Sequence, residues 1–190
     1  MLIRSGQNSV YNIRMTCKCI YRTAMLTGLA VFVWGMISWM VLPWHNMTVK
    51  SFTNEQTVQL SLLQNIDSKE PAIYSLPAMS SEKNKEQTGP YAFIALSPMG
   101  LKFSPMMMLK GLATQILLAL LIVGLLMKTS GLNYWGKVKF VTVIGLVTAI
   151  VASVPNMNWW GFGLEYSLVM IVDQVIAWFI GGLVLAKLTD

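Results

Sequence analysis

The chain has 190 residues, 55% of them hydrophobic and only 12% charged, with a net charge of +6. An average soluble domain carries about 25% charged residues, so this composition excludes an ordinary water-soluble globule. The basic excess is not a nucleic-acid footprint either, because it gathers at the ends of apolar stretches rather than along one exposed face.

Residues 1–23 form a polar N-terminal segment that carries Arg4, Arg14, Lys18 and Arg22. Cys17 and Cys19 have no second pair nearby, so they read as reduced thiols rather than a metal clasp or a lipid acceptor. Residues 24–43 are the first apolar stretch. It exceeds the ~7–15 residues of a signal-peptide core and precedes no small-x-small cleavage site, so it is expected to stay as a first span. Pro43 closes it, and Trp39 and Trp44 are expected at the headgroup level.

Residues 44–104 are the one sizeable extramembrane segment. Thr53 followed by Gln56 fits a capping box, predicting a short amphipathic helix to about Asn65. Two β-prone runs follow at 72–77 and 91–96, separated by the polar stretch 80–88, and predict a two-stranded antiparallel ribbon. Such a ribbon is marginal alone in water and must rest on something.

The second span is expected at 105–127, where Lys110 can snorkel back toward the helix start. A short loop, 128–138, leads to a third span at 139–155, in which Gly145, Ala149 and Ser153 form a stripe that permits close helix approach. A turn at 156–163 leads to the fourth span, 164–187, with Ala177 and Gly181 at the same spacing. At 1.5 Å per residue each of the four stretches approaches or exceeds a ~30 Å hydrocarbon core. The fold class expected is therefore all-α transmembrane, a four-helix membrane bundle with a small α+β insertion between helices 1 and 2.

Charge sets the expected orientation. Eight basic residues (Arg4, Arg14, Lys18, Arg22, Lys128, Lys137, Lys139 and Lys187) fall on one side, against Asp190 alone. The other side is balanced, with six lysines and six acids. Basic residues in short loops remain cytoplasmic, so both termini are expected inside and residues 44–104 outside.

Counting residues inward places polar side chains in two layers. Asp173, Gln115 and Trp34 fall near mid-bilayer, with Thr148 in the same layer. His45, Asn156, Asn158 and Glu165 form an outer-mouth cluster. The two layers are expected ~12–15 Å apart, which separates His45 from Asp173. An acid at mid-bilayer marks either a proton or substrate pathway or an uncharged carboxyl hydrogen-bonded to Gln115 or Thr148 as structural glue. His45 with Glu165 supplies two metal ligands where a catalytic zinc site commonly has three, so no metal is expected. Met106, Met107 and Met108 point around a helix rather than converging, and no haem or other cofactor is expected. No nucleophile elbow, phosphate loop or spaced serine, histidine and acid stands out, so no catalytic residues are assigned and a non-enzymatic protein is expected.

Several segments carry a family likeness. They are Ser38-Trp39 followed by Pro43-Trp44-His45, then Gly89-Pro90-Tyr91, Tyr134-Trp135-Gly136, Asn158-Trp159-Trp160-Gly161-Phe162 and the tail from Asp173 to Lys187. Together they resemble a family of small four-span bacterial inner-membrane proteins. The resemblance covers most of the chain from the first span onward. It implies a bacterial cytoplasmic-membrane address and brings no activity with it. The functional expectation is a partner subunit or an assembly or envelope-maintenance factor. A small proton-coupled transporter using Asp173 and a metal- or haem-associated protein using His45 stand as alternatives. The partners expected are the lipid bilayer and another membrane protein or a second copy; nucleic acid is not.

Overall fold

A computed structural model describes residues 17–78, 89–129 and 131–189. The predicted lead-in before residue 17 and the polar stretch 80–88 lie outside these residues. Six helices and two strands follow in the order α1 (Cys17–Met40), α2 (Trp44–Thr48), α3 (Glu55–Gln64), β1 (Ala72–Leu76), β2 (Ala92–Leu96), α4 (Pro105–Leu126), α5 (Tyr134–Trp160) and α6 (Leu164–Thr189). Four of them, α1, α4, α5 and α6, are long and apolar enough to cross a membrane. They coincide with the four stretches identified from composition, α1 ending at Met40 rather than residue 43 and α4 at Leu126 rather than 127.

The four long helices pack antiparallel in the spatial order α4–α1–α6–α5, so α1 and α6 form the centre. Small residues set each crossing. A Cβ added to Gly28 of α1 would lie 2.6 Å from the Ile116 Cα of α4. One added to Gly145 of α5 would lie 2.5 Å from the Trp178 Cβ of α6. Gly181 faces Val31 and Thr27, and Gly182 faces Val138. Glycines allow backbones to approach where lipid gives no hydrophobic push between helices. Gly145, Ala149 and Ser153 are all buried, and at Gly145 the stripe meets α6 directly. The shared core includes Val31, Val123, Val141, Trp178 and Leu185.

Helix ends differ in part from expectation. Asn133 caps α5 with its side chain on the Gly136 N–H, so the helix starts at Tyr134 rather than residue 139. It also continues past Pro155, whose ring costs one backbone hydrogen bond but does not end the helix here. Gly161, at φ 71°, stops it instead, its N–H and that of Phe162 both reaching the Asn156 carbonyl. Most of the turn expected at 156–163 is therefore helical. Lys137, expected as a loop cation, is buried, and its Nζ donates to the Thr189 carbonyl. A cation suits the carbonyl-rich end of α6.

Between α1 and α4 the predicted ribbon forms, with Tyr74 opposite Ile94 and Ser75 opposite Phe93. Asn54, not Thr53, caps α3, accepting from the Thr57 N–H at 3.0 Å. Alternation of side chains places Tyr74, Leu76, Ile94 and Leu96 along an open groove against Val58 and Leu62 of α3. Phe93 stacks on Trp160, centroids 4.4 Å apart, which rests the ribbon on the end of α5. No residue of α3 is buried, so this small module has little core of its own.

Candidate functional site

The polar centre of the bundle is built where α1 ends. The N–H groups of Val41 and Leu42 both turn back to the Ile37 carbonyl, which closes α1. Leu42 precedes a proline and so avoids helical geometry. Pro43 re-enters it at φ −79° and starts the short helix α2. This turn folds α2 against α6 rather than letting the chain run outward. The side chain of His45 consequently points back into the bundle, where the residue is 1% exposed.

Five side chains gather around it. His45 Nε2 lies 3.0 Å from Ser38 Oγ and 3.5 Å from Asp173 Oδ2. Trp34 Nε1 donates to Asp173 Oδ1 at 2.8 Å, and Trp44 Nε1 donates to Ser38 Oγ at 3.0 Å. The Trp39 ring stacks on the imidazole, centroids 3.8 Å apart and 6° from parallel. Buried polar groups demand partners, and this arrangement pairs the carboxylate, the hydroxyl and one face of the histidine. Among the described residues His45 Nδ1 has no hydrogen-bond partner.

The depth count fails at this point, and the reason is geometric. Counting inward assigns His45 to a separate outer layer because it equates residue number with depth. The re-entrant turn and the reach of the side chains remove that gap. Trp34 does share the level of Asp173, whereas Gln115 does not. The Gln115–Ile116 backbone packs on Gly28, six residues from Trp34 along α1 and hence ~9 Å away along its axis. Gln115 Oε1 is buried without a partner among the described residues, and Thr148 Oγ1 donates to the Gly145 carbonyl of its own helix. Neither side chain is a hydrogen-bond partner of Asp173.

The expected outer cluster is also dispersed. Asn156 donates to the Ala152 carbonyl of its own helix, and Asn158 is exposed. Glu165 is exposed and lines a recess with Lys50 rather than approaching His45 as a co-ligand. Trp39 and Trp44, expected at the headgroup level, both frame the histidine, and Trp39 is also exposed. Met106, Met107 and Met108 are all exposed on α4.

Ser38, His45 and Asp173 bring together the residue types of a hydrolytic triad, which no sequence spacing had suggested. Their connectivity is different. In a relay the acid orients one imidazole nitrogen while the other activates the serine. Here serine and carboxylate both approach Nε2, so the same nitrogen cannot serve both steps. Nor do the described residues offer any group of three histidine, cysteine or acidic ligands for a metal ion. What the arrangement can do is hold an exchangeable proton, since an imidazole and a carboxyl face each other and, among the described residues, no lysine or arginine is a hydrogen-bond or ion-pair partner of either. Such a pair is electrically neutral with one shared proton and becomes cationic on gaining another. No family model, curated protein or solved structure matches this chain.

Proposed function

We propose that this chain is a proton-coupled membrane protein in which His45 and Asp173 together form the proton-binding centre. The observation that carries the reading is their meeting at 3.5 Å in the buried bundle, although they come from opposite halves of the chain. Intramembrane ionisable groups mark proton or ion pathways by default, and here the acid has an ionisable partner rather than a purely structural amide. Trp34 and Ser38 act as positioning residues, the first fixing one carboxylate oxygen and the second addressing Nε2. The histidine sits on α2, a helix of five residues packed against α6, so its protonation is placed to alter how α2 docks there. On this reading the chain is not an enzyme.

The setting proposed is a bacterial cytoplasmic membrane, on the family likeness noted above, crossed by a four-helix bundle. Both termini are cytoplasmic and the α3–ribbon module is extracytoplasmic, on the asymmetry of basic residues. A topology experiment tests the orientation. With Cys17 and Cys19 changed to serine, a cysteine introduced at Ser81 should react with an impermeant maleimide on intact cells. One at Ser130 should react only after lysis, and equal labelling of the two removes the four-span orientation.

Proton coupling is tested in proteoliposomes loaded with a pH-sensitive dye under an imposed potassium diffusion potential. The expected result is faster internal acidification than in protein-free liposomes, lost in both His45→Asn and Asp173→Asn while each still inserts and melts cooperatively. Parent protein indistinguishable from empty liposomes, or variants that conduct like the parent, would overturn the proposal.

A further inference from the structure

An open recess of about 670 Å³ lies where the end of α2 meets the start of α6, lined by Thr48, Lys50, Phe162, Glu165 and Tyr166 among others. Lys50 and Glu165 bear opposite charges on this one recess, yet no ion pair joins them, and neither has a charged partner elsewhere among the described residues. Two unpaired opposite charges across a cavity suit a ligand that carries both signs itself.

Position narrows the ligand. Helix α6 has 26 residues, hence a length of ~39 Å against a ~30 Å hydrocarbon core. Shared between the two ends, the surplus of ~9 Å leaves ~4–5 Å at each, which places the first turn, with Glu165, in the polar layer of the bilayer, ~5–8 Å thick on each side. The recess therefore opens among lipid head groups. Lys50 is two residues beyond the end of α2 and cannot be far from the same layer. Gly163, Leu164 and Glu165 are also among its lining residues, and the first-turn N–H groups of a helix, having no acceptor within it, favour an anion near that end.

We propose that this recess binds the head group of a zwitterionic phospholipid, phosphatidylethanolamine. Its phosphate sits against Lys50 and the first turn of α6, and its ammonium sits against Glu165. A primary ammonium fits a carboxylate better than a quaternary one, because it donates hydrogen bonds that the carboxylate accepts. Phe162 and Tyr166, whose rings meet edge to face with centroids 5.8 Å apart, wall the recess beside Glu165. This inference rests on the membrane-spanning helices and is independent of any proton carried by His45 and Asp173.

The test uses the full chain in nanodiscs of equal phosphatidylethanolamine and phosphatidylcholine, followed by native mass spectrometry of the lipids retained. The parent should retain the ethanolamine lipid several-fold over the choline lipid. Glu165→Gln should bring the ratio close to one, and Lys50→Gln should reduce retention of both lipids. Both residues are exposed, so thermal melts of the variants should match the parent and exclude loss of fold as the cause. No preference in the parent, or a preference that survives Glu165→Gln, overturns the assignment. In nanodiscs containing phosphatidylglycerol, stronger retention of that anionic lipid that is indifferent to Glu165→Gln shows a simple anion site and also overturns it.

Discussion

Gly28→Ala is expected to lower the melting temperature in detergent by roughly 3–10 °C, from an overpacking penalty of ~1–3 kcal/mol in a chain of this size. The added methyl would sit 2.6 Å from the Cα and 2.7 Å from the N of Ile116, and 2.9 Å from the Gln115 carbonyl carbon. All three obstacles are backbone atoms, so no rotamer change can relieve the clash, and α1 and α4 must separate. Gly35→Ala on the same helix is the control, because nothing lies within 4 Å of its added Cβ. That substitution should be neutral or stabilising by a few tenths of a kcal/mol to ~1 kcal/mol through helix propensity. If Gly28→Ala melts like Gly35→Ala, the helices do not cross at that glycine. The same reasoning makes Gly145→Leu far more harmful than Ile144→Leu, since the added atoms would enter the space of the Trp178 Cβ.

Much of the architecture was legible because hydropathy and small-residue spacing need no knowledge of partners. A stretch such as 105–127 reports its own length against the bilayer whatever packs on it. The stripe of Gly145, Ala149 and Ser153 returns to one face every four residues, so its direction was readable before its neighbour was. Gly28 and Gly35 show the limit of that logic. They look alike in the sequence, yet only one meets another backbone, since the crossing point depends on where α4 lies. Lys137 was misread for a similar reason. Its charge suggested water, and the carbonyl end of α6 that holds it comes from the far end of the chain.

The candidate centre was only half legible. Asp173 announced itself, because an acid deep in an apolar stretch has few unremarkable explanations. Trp34 was placed at the right depth, but as an indole its role as a donor depends on which carboxylate it meets. His45 was misplaced because a residue count measures depth along a continuing helix and is blind to a chain that turns back. The signal available was local. Pro43 follows α1 by three residues, and Ser38, Trp39, Trp44 and His45 lie close enough in sequence to close on one another after a tight turn. Gln115 erred in the opposite sense, since the helices do not start at a common level and equal counts from different ends are not equal depths.

Asp173→Leu is expected to destabilise the protein by about 1–3 kcal/mol, the usual penalty for leaving buried hydrogen-bonding groups without their partner. The loss leaves the Trp34 Nε1–H without its acceptor and His45 Nε2 with Ser38 alone. Asp173→Asn should melt close to the parent, because its amide oxygen still accepts from Trp34. Its NH₂ group then faces Nε2, and two donors cannot point at each other, so His45 must move its proton to Nδ1. The chain contains a single histidine, which makes the switch directly visible. Protein labelled only with ¹⁵N-histidine should show the Nε2–H form in the parent, where Nδ1 has no partner among the described residues. The Nδ1–H form should replace it in Asp173→Asn. If both proteins show the Nδ1–H form, Asp173 already donates to His45 as an uncharged acid. The pair then rests in its neutral one-proton state with the proton on the carboxyl, and loss of proton flux in Asp173→Asn separates a carried proton from a structural hydrogen bond between α2 and α6.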